Sequence, residues 1–107
     1  MSTAYRAPDL LIHGRWVAGQ HAATFAIVNP ARAQPLDELR LASPEQIGQA
    51  LLAAQQGFDA WRSVPAFERC ARLEKGVARL RQNIDSIAQL LTLEQGKPLA
   101  EARAECA

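Results

Sequence analysis

The sequence predicts a mixed α/β chain, α+β when the segment is taken by itself: a hairpin and further strands come first, and three to four helices follow. Three observations carry this. Two apolar runs flank His13-Gly14, Thr24 to Val28 is β-branched and aromatic, and from Ser43 onward apolar residues recur every three or four positions. The first two suit the two-residue period of strands, and the third suits the 3.6-residue period of a helix.

Residues 1–9 read as a flexible leader. Leu10-Leu11-Ile12 and Arg15-Trp16-Val17 then form a hairpin, because Gly14 can take the positive φ that a tight turn between strands demands. Thr24 to Val28 forms the next strand. Asn29-Pro30 ends it, since proline cannot donate to a ladder and biases the preceding residue away from helix. Leu36 to Leu41, with Leu39 and Leu41 on one side, is a weaker fourth strand.

Ser43-Pro44-Glu45-Gln46 is a helix start with a mechanism. The Ser43 hydroxyl accepts from the Gln46 amide, Pro44 sits where no donor is needed, and the Gln46 side chain reaches back. Ile47, Ala50, Leu51, Ala54, Phe58 and Trp61 then form one stripe, expected to be buried, until Pro65 interrupts it. A second stripe through Phe67, Cys70, Leu73, Val77, Leu80, Ile84, Ile87 and Leu91 extends the helical region from Ala66 to Gln95, with Asn83 capping a fresh start within it. Gly96 is placed for a left-handed C-terminal cap, and Pro98 opens a short last helix through Glu101 and Glu105.

With 49% hydrophobic and 21% charged residues the composition is that of an ordinary globular chain, and a net charge of +1 gives no field to draw nucleic acid or an anionic membrane. No window approaches the roughly 18 uninterrupted apolar residues of a membrane span, and the first residues lack a signal-peptide core, which points to the cytoplasm. Cys70 and Cys106 are expected as free thiols, because a helical chain of this size needs no disulfide staple.

Few residues invite chemistry. Cys70 falls on the apolar stripe between Phe67 and Leu73 and reads as a small core hydrophobe, while Cys106 reads as a surface or interface thiol. His13 and His21 lack partners at zinc-site spacing. Gly96-Lys97 is not a phosphate-binding loop, because Leu91 stands where that loop needs glycine and Pro98 replaces its Ser or Thr. Glu101 and Glu105 read as solvated carboxylates around a helix N-terminus, and Trp16, Trp61, Phe25, Phe58 and Phe67 as core packing. No nucleophile, base or ligand set emerges for a small enzyme in its own right.

One resemblance runs along almost the whole chain. Leu11 to Val17, Ile27-Val28-Asn29-Pro30, the segment from Ala54 through Phe58, Trp61 and Arg62 to Glu68-Arg69, and above all Leu93-Glu94-Gln95-Gly96-Lys97-Pro98-Leu99-Ala100-Glu101-Ala102 resemble the N-terminal portion of the aldehyde dehydrogenases, in order and at the expected separations. The last string is most similar to the succinate-semialdehyde type. Ala31-Arg32-Ala33-Gln34-Pro35 departs from the family's usual turn, leaving the loop geometry there open.

The resemblance implies that residues 10–107 are the truncated N-terminal part of an NAD(P)-binding domain, in a parent that oxidises an aldehyde or semialdehyde to the acid with NAD or NADP. The family uses a cysteine thiolate, which forms a thiohemiacetal and passes hydride to the nicotinamide, and a glutamate that activates water. Its cysteine follows a Gly-Gln pair, so neither cysteine here corresponds to it; the catalytic and cofactor-binding residues are assigned to none of these positions. The resemblance also implies a structural Na⁺ or K⁺ held by the main-chain oxygens of Ile27 and Val28 and by the Glu94 side chain, although many relatives carry aspartate at that last position. The parent is expected as a homodimer or homotetramer acting on a small-molecule aldehyde. This chain alone is expected to be inactive and to bind no cofactor. The alternative is a stand-alone helical interaction or self-association module.

Overall fold

The computed structural model describes residues 5–107, so the first four residues of the expected leader lie outside it. Four strands precede four helices: β1 (Leu10–Ile12), β2 (Arg15–Val17), β3 (Thr24–Asn29), β4 (Gln34–Arg40), α1 (Pro44–Arg62), α2 (Ala66–Gln82), α3 (Ile84–Gln95) and α4 (Leu99–Cys106). The expected order of elements is thus realised, with β4 starting two residues before Leu36. The chain divides into two compact units, Met1–Ile27 with Pro35–Ser63, and Val28–Gln34 with Val64–Ala107.

In the first unit β1 and β2 pair antiparallel, Leu10 with Val17, Leu11 with Trp16 and Ile12 with Arg15. The two-residue turn places both His13 (φ 50°) and Gly14 (φ 72°) in the left-handed region. Two positive φ values give the turn a twist that matches the flanking strands. β3 and β4 form a second two-stranded sheet, and their four-residue connection is too short for anything but an antiparallel return. Residues 5–9 belong to no strand or helix, but the Ala7 amide donates to Asp37 Oδ2 on β4 at 2.6 Å and Arg6 pairs with Asp9 at 3.4 Å. The bonds from the Ala7 and Glu38 amides, with the Arg6 charge, hold the Asp37 carboxyl below its ordinary pKa.

The start of α1 follows the expected capping box: Gln46 N donates to Ser43 Oγ at 3.2 Å and Ser43 N to Gln46 Oε1 at 3.1 Å. Gln46 also reaches outside the helix. Its Oε1 accepts from Gln20 N at 2.9 Å and its Nε2 donates to the Ala18 carbonyl at 2.9 Å, so one side chain fastens the segment after β2 to the start of α1. Gln46 is 4% exposed.

In the second unit α2 and α3 separate at Asn83, but not by the expected cap. The Asn83 side chain donates backward to the Arg79 carbonyl at 2.8 Å and makes no bond to the first turn of α3. Asn83 therefore closes α2, because its φ of −114° and ψ of 12° lie far from the extended backbone of an N-cap. α3 packs on α4, with Ala88 and Ala102 fully buried and Asp85 bonded to Arg103 at 2.8 Å. Small residues let two helix backbones approach closely; the exposed ion pair contributes at most ~1 kcal/mol.

Among the described residues the expected burial of the apolar stripes is largely absent on α1 and α2, while Ile84, Ile87 and Leu91 on α3 are half-buried. Ile47, Leu51 and Phe58 on α1 are 53–68% exposed, and Phe67, Leu73, Val77 and Leu80 on α2 are 45–78% exposed. Trp16 and Phe25 lie open as well, Trp61 is half-buried, and Arg62 stacks over the Phe58 ring at 5.7 Å. Cys70, read as a core thiol, is exposed beside Glu74. The reason is common to all the exposed ones: amphipathic periodicity marks the face that seeks an apolar partner, and among the described residues no element covers it.

Candidate functional site

The segments expected to hold a cation meet in part within the second unit. β3 ends at Asn29, whose side-chain oxygen accepts from Ala31 N at 3.0 Å and whose carbonyl accepts from Arg32 N at 3.3 Å. These bonds make an Asx turn, in which the short amide side chain stands in for backbone and fixes the chain reversal. Asn29 is buried at 8% exposure, and Ala33 completes the turn at φ 53°. This is the geometry of the segment where the sequence departs from the family's usual turn.

Across from it, α3 ends at Gln95 and Gly96 adopts φ 73°, its amide donating to the Thr92 carbonyl at 2.9 Å. The expected left-handed cap is present. A Cβ on Gly96 would stand 2.9 Å from Pro30 Cγ and 3.8 Å from Pro30 Cβ. Glycine is required twice over, once by its φ and once by the proline ring against it. The Pro30 turn is therefore seated on the end of α3, and Glu94, two residues before the cap, is carried by that same end.

Of the three expected cation residues, Ile27 is half-buried, whereas Val28 and Glu94 are exposed. Val28 and Glu94 share the second unit, and Ile27 belongs to the first. Beyond the cap, Lys97 pairs with Glu105, and α4 starts after Pro98 with Glu101 in its first turn, where a carboxylate complements the helix N-terminus. Among the described residues no group of three or more His, Cys, Asp and Glu side chains is placed to hold a metal. His21 Nδ1 accepts from Ala23 N at 3.0 Å, and Cys106 is half-buried. No helix of the described residues is long and apolar enough to cross a membrane.

The first unit thus carries the β1–β2 hairpin and the capped α1, the second closes α3 on a left-handed glycine, and the apolar residues of α1 and α2 lie exposed. The chain belongs to the aldehyde dehydrogenase family, whose model matches residues 16–107. It is 62% identical over 108 residues to a 4-(hydroxymethyl)benzenesulfonate dehydrogenase of Comamonas testosteroni, an alignment that covers all of this chain and 23% of that protein. Among solved structures, it superposes on a NAD-dependent benzaldehyde dehydrogenase from Corynebacterium glutamicum with a TM-score of 0.87 at 27% identity, covering 95% of this chain and 22% of that one. For a succinate-semialdehyde dehydrogenase from Burkholderia pseudomallei the TM-score is 0.84 at 37% identity, covering 94% and 21%. The chain thus spans about a fifth to a quarter of its relatives' length.

Proposed function

We propose that this chain forms the first structural layer of the NAD(P)-binding domain in an enzyme that oxidises an aldehyde to the carboxylic acid with NAD or NADP. The family match over residues 16–107 carries the reading. The open apolar faces of α1 and α2 support it, since they are the surfaces on which the remainder of such a domain would pack. None of these residues is assigned to the chemistry or to the nicotinamide cofactor, whose hydride chemistry belongs to the rest of the enzyme. We place the enzyme in the cytoplasm as a homodimer or homotetramer.

For the substrate we favour an aldehyde bearing an acidic group, a class that includes semialdehydes. Two of the relatives point that way: 4-(hydroxymethyl)benzenesulfonate, an alcohol one oxidation step before the aldehyde, carries a sulfonate and succinate semialdehyde a carboxylate, each remote from the carbon to be oxidised. The test is NAD(P)H formation by the whole protein that carries this chain, with succinate semialdehyde compared against benzaldehyde. Turnover of the acidic aldehyde is expected, and none from the 107-residue chain alone. Turnover by the 107 residues alone would overturn the assignment.

We further assign a structural Na⁺ or K⁺ to the carbonyls of Ile27 and Val28 and the Glu94 carboxylate, a donor set of hard oxygens suited to such ions. The seating of the Pro30 turn on Gly96 supports this for Val28 and Glu94. In the whole enzyme, Glu94→Gln should lower the melting temperature and flatten its dependence on K⁺ or Na⁺ while leaving the hydride-transfer burst nearly unchanged. An unchanged melt and salt response with a lost burst would move Glu94 into the active site.

The competing reading is a stand-alone interaction module. It is separated by sedimentation velocity of the 107-residue chain across a hundredfold range of concentration. Exposed Phe67, Leu73, Leu51 and Phe58 predict concentration-dependent self-association. A single species of fixed mass with a sharp melt at every concentration would favour the module.

A further inference from the structure

We draw no further inference here: the strongest candidate, the exposed face of α2 formed by Phe67, Leu73 and Val77 with arginines on the same helix, is an unpartnered apolar surface, and nothing in the structure shows what covers it.

Discussion

Replacing Gln46 by leucine should destabilise the first unit by about 2–4 kcal/mol, more than any other polar substitution on α1. Leucine keeps most of the volume, so the loss isolates the hydrogen bonds. The Ser43 and Gln20 amides both lose the Gln46 Oε1 acceptor, and the Ala18 carbonyl loses its donor. Each net bond is worth about 1 kcal/mol, and a buried amide left without a partner costs about 1–3 kcal/mol more. Gln46→Glu supplies the decisive comparison, because it keeps the acceptor for the two amides but sets a carboxylate against the Ala18 carbonyl. It should fall between wild type and Gln46→Leu. Urea unfolding of the 107-residue chain, followed by helical circular dichroism at one low concentration, reads all three, with exposed Gln49→Leu as a control near zero. If Gln46→Leu lies within about 0.5 kcal/mol of that control, the side chain does not fasten the segment after β2 to α1.

Gln46 also marks the boundary of what the amino-acid sequence discloses. Ser43-Pro44-Glu45-Gln46 announces the capping box because both partners lie within one turn and the chemistry is local. The bonds to Ala18 and Gln20 depend on how the chain returns after β2, and no short-range pattern encodes that. The same division runs through the rest. Gly14 signals the hairpin turn, whereas the positive φ of His13 follows from the twist of the paired strands. Asn83 is legible as a break between helices, yet the backbone there turns its side chain toward Arg79 instead of into α3. Apolar spacing groups the large residues of α1 and α2 into faces but misplaces Cys70, Phe58 and Phe67 in a core, since periodicity cannot say whether a covering element is in the chain. Within the candidate site, Ile27, Val28 and Glu94 come from family resemblance alone; what the fold adds is the contact of Pro30 with Gly96.

That contact makes the other large effect. Gly96→Ala should destabilise the second unit by well over 1 kcal/mol, since the left-handed backbone alone costs an L-residue about 1–2 kcal/mol. The added methyl would also stand 2.9 Å from Pro30 Cγ, and a proline ring anchored in a turn cannot swing aside as a long side chain can. Gly76 gives the contrast from the same unit: it lies within α2 with nothing within 4 Å of an added Cβ. Gly76→Ala should therefore stabilise, by roughly 0.5–1 kcal/mol, because alanine has the higher helix propensity and the less flexible unfolded chain. Two chemically identical substitutions thus move stability in opposite directions. A double-mutant cycle separates strain from clash: in a Pro30→Ala background the steric part of the Gly96→Ala cost disappears and the backbone part stays, so the two changes should be less than additive. Additive costs would mean that Pro30 does not press on the cap. A neutral or stabilising Gly96→Ala would mean that α3 does not end in the left-handed turn, and the shared support proposed for Val28 and Glu94 would fall with it.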